Sequence, residues 1–169
     1  MRPKPSKRPA IGWREWVALP ELGIPAIKAK IDTGARSSAL HAYAIRRTTE
    51  ADGTWVTFKV HPLQRAPHVT VEARARLLGE RRIRSSSGLL TVRAVIETTM
   101  VLGERAFPIE LTLVRRDLMG FRMLVGRQAL GRRFVVNPAR SFLAGPPAVV
   151  LHEAAVDVDP ASGPGEPPP

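Results

Sequence analysis

Apolar side chains recur at every second position in several short stretches of the chain. In KAKID, residues 28–32, Ala29 and Ile31 alternate with Lys28 and Lys30. In FPIELTL, residues 107–113, Phe107, Ile109, Leu111 and Leu113 fall on one face, with Glu110 and Thr112 opposite. A period of two marks a strand with one buried face, because successive side chains leave an extended backbone on opposite sides. TWVTFKVH (54–61), VTVEARA (69–75) and LLTVRAVIE (89–97) behave similarly. Turn-forming residues punctuate these runs, from Pro20 and Gly23 through Asp52-Gly53, Gly79, Gly88 and Gly103 to Asn137-Pro138. Spacing this close predicts an all-β domain. One short helix is predicted over GRQALGRR, residues 126–133, opened by Gly126 and closed near Gly131.

The periodicity fails at both ends. Residues 1–10 hold three prolines and four basic side chains, and residues 146–169 are rich in proline and glycine. Both ends are expected to be disordered tails around a single domain at 11–145. With 169 residues, 44% of them hydrophobic, the chain can bury one core; at 5% aromatic, Val, Ile and Leu must build it. The net charge of +11 suits polyanionic partners without choosing among nucleic acid, anionic membrane and acidic polypeptide. No secretory signal is recognisable and no apolar run approaches the roughly 18 residues of a membrane span, so a cytoplasmic protein with no membrane partner is expected. The absence of cysteine excludes disulfides and thiol catalysis.

Candidate chemistry centres on IDTGARSSAL, residues 31–40. A hydrophobic strand that runs into Asp32, Thr33 and Gly34 presents its carboxylate at the strand end, and Gly34 allows close approach without a Cβ in the way. The same tetrapeptide also fits an ordinary turn whose Asp32 satisfies local N–H groups. RIRSSSGLLTV, residues 82–92, reads as a hairpin with a mobile tip able to close over a cleft. FRMLVGRQAL, residues 121–130, reads as a strand that ends in Gly-Arg and enters the helix. There is no His-Glu-x-x-His, and His41, His61, His68 and His152 lack paired spacing; nor is there a phosphate-binding Gly-x-x-x-x-Gly-Lys-Ser/Thr loop. Neither a metal nor another cofactor is expected. Trp13, Trp16 and Trp55 are expected as core or dimer-packing anchors.

The order of strand with Asp-Thr-Gly-Ala, Gly-tipped hairpin, second hairpin, and strand with Leu-Val-Gly-Arg before a helix resembles the retropepsins, the retroviral-type aspartic proteases, over residues 27–130. IGWREWVALPELGIPAIKAKIDTGARSSALHA, FKVHPLQR, RSSSG and MGFRMLVGRQALGRRFVVNPARSFL are similar to a bacterial family labelled ATP-dependent zinc proteases and associated with the RimK glutamate ligase. The resemblance implies a retropepsin-like closed β-barrel with one short helix, each protomer holding half a site. It implies Asp32 as the catalytic carboxylate with Thr33 and Gly34 as its supporting turn, and Gly126 with Arg127 as the start of the helix behind the active-site loop. Ala35, Arg36, Arg84, Arg127 and the flap-tip residues Ser85, Ser86, Ser87 and Gly88 would bind substrate. The segment from about 44 to 80 is longer than in viral enzymes, and Arg36 stands where those commonly carry an acid.

Aspartic proteases use two carboxylates that share one proton. Only Asp32 matches; Asp117, Asp52 and Asp157 do not follow a strand into Thr-Gly, and Asp117, which reads as a turn residue pairing with Arg115, Arg116 or backbone, is kept only as an alternative second carboxylate. The resemblance therefore implies a homodimer in which two Asp32 side chains meet on the two-fold axis, with residues 135–143 supplying a terminal strand. Arg36 and Arg84 could anchor an acidic peptide bidentately. The link to a RimK-type glutamate ligase implies the poly-glutamate tail of a ribosomal protein as substrate. Two alternatives stand beside this: a non-catalytic peptide-binding adaptor, and a basic ribosome- or RNA-associated protein. Few aromatics and no reading helix argue against nucleic acid as a partner.

Overall fold

The computed structural model describes residues 8–63, 66, 68–85, 87–115 and 120–147. Most of both expected tails, together with Ser86, Asp117, His152 and Asp157, lies outside the described residues. The strands are β1 (Ala10–Gly12), β2 (Arg14–Leu19), β3 (Ile24–Ile31), β4 (Ser38–His41), β5 (Tyr43–Glu50), β6 (Gly53–Val60), β7 (Val71–Arg84), β8 (Leu90–Leu102), β9 (Arg105–Val114), β10 (Met123–Val125) and β11 (Val135–Asn137). A 3-10 turn spans Pro20–Leu22, and α1 spans Arg127–Leu130.

Nine strands form one sheet in the order β2-β3-β10-β4-β9-β8-β7-β6-β5, and β2 also pairs with β8. The β2–β8 contact, Val17 with Leu102 and Ala18 with Val101, joins six of these strands into a ring. The expected closed barrel is met only in part. β8 gives its first half to β7 and only its last residues to β2, so β7, β6 and β5 leave the ring as an antiparallel meander.

Two expectations are corrected in detail. α1 is four residues long, because Gly131 at φ 50 ends it. Gly79, read as a turn signal, lies inside the 14-residue β7, where the register shifts between Leu77 and Gly79. A local irregularity of this kind bends a strand without ending it. β8 and β9 meet through the tight turn at Gly103-Glu104, with Leu102 opposite Arg105.

The core is aliphatic. Ile11, Leu19, Ile24, Ile27, Leu40, Ile96, Leu111 and Met123 are fully buried, with Phe58 the largest side chain among them. Each such side chain contributes about 1.5–3 kcal/mol on burial. The five ion pairs among the described residues, such as Lys59–Glu72 and Arg81–Glu110, are surface contacts, and pairs of that kind are worth about 0–1 kcal/mol each. Apolar burial therefore holds the ring together. The tryptophans lie at its margin: Trp13 meets Phe121 edge-on, Trp16 stacks on Phe142, and Trp55 lies under the Arg74 guanidinium at 4.2 Å.

A buried carboxylate fastens the chain's later segment to the ring. Glu15 is fully buried on β2 and accepts hydrogen bonds from the backbone N–H groups of Gly12 (2.6 Å), Leu143 (2.8 Å) and Ala144 (3.3 Å). A Cβ on Gly12 would lie 2.3 Å from the Arg140 carbonyl oxygen, so glycine is needed for this close approach. β11, anticipated as part of a dimer strand, pairs in parallel with β1 of its own chain.

Candidate active site

β3 alternates buried and half-buried residues up to Ile31 and delivers Asp32 at its end. The Asp32 N–H donates to the Val125 carbonyl at 2.9 Å, extending the parallel pairing in which Ile31 lies beside Val125. β10 is inserted between β3 and β4, parallel to the first and antiparallel to the second. The chain between β3 and β4 must therefore pass the end of β10, and this passage is the Asp-Thr-Gly loop.

Close packing fixes the loop. A Cβ on Gly126 would lie 2.5 Å from the Ser37 carbonyl oxygen and 2.9 Å from that of Ala35. Only glycine fits under such a backbone approach. The Gly126 N–H donates to Ser38 Oγ at 3.0 Å, a buried bond. The first two amides of α1 then turn to the loop: Arg127 N–H donates to the Ala35 carbonyl (2.8 Å) and Gln128 N–H to the Arg36 carbonyl (3.1 Å). Amides that a helix start leaves unpaired thus satisfy carbonyls that the loop leaves unpaired. Arg127 adds its side chain, Nη1 donating to the carbonyls of Thr33 (3.0 Å) and Gly34 (2.9 Å).

Within this frame the Asp32 carboxylate is half-buried and oriented. Its Oδ1 accepts the N–H of Gly34 at 2.9 Å and of Ala35 at 3.2 Å. Its Oδ2 takes no hydrogen bond from any described residue. One oxygen is spent on holding the group and the other is available to a reactant. Thr33 is exposed, and its hydroxyl has no partner among the described residues.

The other anticipated residues are distributed less tightly. Arg36 is exposed and contributes its backbone carbonyl to α1. Arg127, anticipated at the substrate, spends its guanidinium on the loop. The hairpin tip is closed by its own bonds: Ser85 N–H to the Leu89 carbonyl (2.9 Å), Gly88 N–H to the Ser85 carbonyl (2.9 Å), and the Ser85 and Ser87 hydroxyls at 2.8 Å. Gly88 takes φ 84, which suits a residue without a Cβ. No hydrogen bond among the described residues joins this tip to Asp32. Arg84 is exposed opposite Leu90.

Sequence reasoning passed over three contributors. Ser38 holds Gly126. Arg81 on β7 reaches Ser37 Oγ at 3.3 Å and the Glu110 carboxylate at 2.8 Å, connecting the hairpin to the Asp32 loop. Glu15 lies remote in sequence from everything it binds except Gly12. The two adjacent serines after Asp-Thr-Gly-Ala-Arg were the available signal for Ser38; Arg81 and Glu15 carried none, since a charged residue in a strand reads as solvated.

Asp52 has a structural role in the turn between β5 and β6. It accepts from Trp55 Nε1 at 3.0 Å and pairs with Arg76. The Trp55 hydrogen bond is the main cause that holds its carboxyl below the ordinary value, and Arg76 adds to it. His41 lies beside the Arg122 guanidinium. Among the described residues no three of His, Cys, Asp or Glu gather as a metal site would require.

The RimB-like family, described as retropepsin-like aspartic endopeptidase RimB, matches residues 10–147. The chain belongs to this family. Curated relatives of this RimB-like chain are named probable alpha-L-glutamate ligase. That of Parasynechococcus marenigrum is 45% identical over 135 residues, covering 80% of this chain and 29% of the relative. Those of Shewanella halifaxensis and Desulfotalea psychrophila are 43% and 47% identical, over 30% and 28% of their own lengths. The RimB-like chain thus spans less than a third of these relatives. A crystallised protein of unknown function from Legionella pneumophila has a TM-score of 0.69 at 24% identity, covering 82% of this chain and 99% of that one, a likeness of fold. None of the described helices is long and apolar enough to cross a membrane.

Proposed function

We propose that this chain is one half of a homodimeric aspartic peptidase that cleaves acidic, glutamylated polypeptide in the cytoplasm, with the domain at 11–145 carrying the site. The observation that carries the reading is the Asp32 carboxylate at the end of a closely packed loop, with Oδ1 fixed by two backbone amides and Oδ2 without a hydrogen bond from any described residue. Membership of a family described as aspartic endopeptidase supports it.

Two such loops, related by a two-fold axis, would bring two carboxylates together. Like charges at contact distance do not both ionise, so the pair holds one proton between them. The ionised member removes a proton from water as it attacks the peptide carbonyl; the protonated member donates to the carbonyl oxygen. The tetrahedral intermediate then collapses with proton transfer to the leaving nitrogen. The exposed Thr33 hydroxyl would find its partner across the axis. Arg127 acts as a positioning residue for the loop. Ala35, Arg36, Arg84 and the tip residues Ser85, Ser86, Ser87 and Gly88 would line the substrate.

The substrate class rests on charge and on the relatives. The net charge of +11 suits an acidic substrate. A domain of this kind lies within the matched part of proteins named glutamate ligases, which supports a functional link to a RimK-type ligase and a poly-glutamate tail of a ribosomal protein as substrate. The test compares wild type with Asp32→Asn on a glutamate-tailed peptide and on the same peptide without the tail, read by mass spectrometry. Cleavage of the tailed peptide by wild type alone is expected. Equal turnover by Asp32→Asn overturns the peptidase; binding without product from either protein favours an adaptor, and salt-sensitive binding of RNA alone favours a ribosome-associated role.

A further inference from the structure

A concave surface lies beside β5. It is a cleft of about 470 Å³ between β5 and the adjoining parts of β8 and β9. Ala94 and Leu113, both buried, and Ile45, which packs on the core, supply apolar walls. Leu89 and Val92 line it while remaining 63% and 56% exposed. Arg47, Arg93 and Arg115 complete the cationic lining.

Strand alternation gives this surface its sidedness. Val92 is opposite Arg82 and Leu90 is opposite Arg84, so these four share one face of the β7–β8 hairpin. Arg81, one residue away, reaches Ser37 in the Asp32 loop from the other face. Arg82, Arg84 and Arg115 are exposed. Arg47 pairs with the Glu80 carboxylate. Exposed Arg82 and Arg115 therefore stand beside large aliphatic side chains that are left in water. Exposed valine and leucine beside exposed arginine match a ligand that carries both an apolar side chain and carboxylates.

We infer that this cleft is a second peptide-binding site, which takes an acidic segment bearing an aliphatic side chain. The aliphatic group would lie against Ile45, Val92 and Leu113, and neighbouring carboxylates would meet Arg115 and Arg82. The inference rests on the proposed substrate class and deepens it: a run of glutamates alone would satisfy the arginines and leave the apolar walls wet. Recognition would then need an apolar residue of the carrier polypeptide as well as its acidic tail.

The test uses the full chain with Asp32→Asn, so that binding is read without turnover. Fluorescence anisotropy measures a labelled hepta-glutamate peptide and the same peptide with one leucine inserted. The leucine peptide is expected to bind about tenfold tighter, the factor that corresponds to about 1.4 kcal/mol. Added to that background, Val92→Glu should abolish the leucine preference, and Arg115→Glu should weaken both peptides about tenfold. Arg132→Glu, an equal charge change at an exposed residue outside the cleft, should change either by less than about twofold. Thermal melts establish that each variant is folded, and a variant that fails to fold is replaced by Val92→Thr or Arg115→Gln. Equal weakening by Arg115→Glu and Arg132→Glu, or no leucine preference in the background protein, overturns the site. Cleavage by the wild type is scored separately, so a cleft that binds in an inactive protein retires the peptidase reading and leaves this one standing.

Discussion

Asp32 and Gly126 are far apart in sequence and depend on each other in space. Asp32 is useful only if its loop is held still, and the loop is held by passing so close to Gly126 that no side chain fits there. Gly126→Ala places a methyl 2.5 Å from a backbone oxygen. The loop cannot yield by rotating a side chain, so overpacking is expected to cost at least ~2 kcal/mol, read by urea unfolding. Peptidase activity should fall more than the folded fraction does, because the displaced backbone carries the carboxylate. Asp32 itself was legible from the strand running into Asp-Thr-Gly-Ala. The resemblance placed Arg127 behind that loop, but its hydrogen bonds were not legible: only the folded loop brings the carbonyls of Thr33 and Gly34 within reach of its Nη1.

At the scale of elements, the strand periodicities located β3, β6, β9 and much of β7 and β8, since each has one buried face. β5 escaped because most of its residues are exposed and no alternation of burial marks it. β10 was read as the strand before Gly-Arg, whereas β4, at four residues, is too short for a pattern; the importance of both lies in pairing, which residue order does not display. The segment 140–144 is held by Glu15 rather than by a ladder. Glu15→Ala would leave one buried and two part-buried backbone amides without their acceptor and is expected to cost on the order of 3 kcal/mol. Glu15→Gln, which keeps one acceptor oxygen, should lie between that variant and wild type. Chemical denaturation checks both, and an unaltered midpoint for Glu15→Ala would contradict the clasp.

For the whole molecule, the proposed pairing of two carboxylates makes activity a property of the assembly. Specific activity should fall on dilution in step with the dimer fraction seen by sedimentation. An equal mixture of wild type and Asp32→Asn under subunit exchange should show about a quarter of the activity of the same total amount of wild type, because only wild-type pairs own both carboxylates. A residual of about half would mean that each subunit acts alone. The sequence by itself determined the strand-rich class, the aliphatic core and the aspartate worth testing, because local alternation and turn chemistry act over a few residues. The tertiary structure alone decided that the strands close a ring through one short contact, that Arg127 serves the loop, and that an apolar, arginine-lined cleft opens beside β5. Those features arise from contacts between residues dozens of positions apart, and such contacts follow from how the sheet pairs and curls.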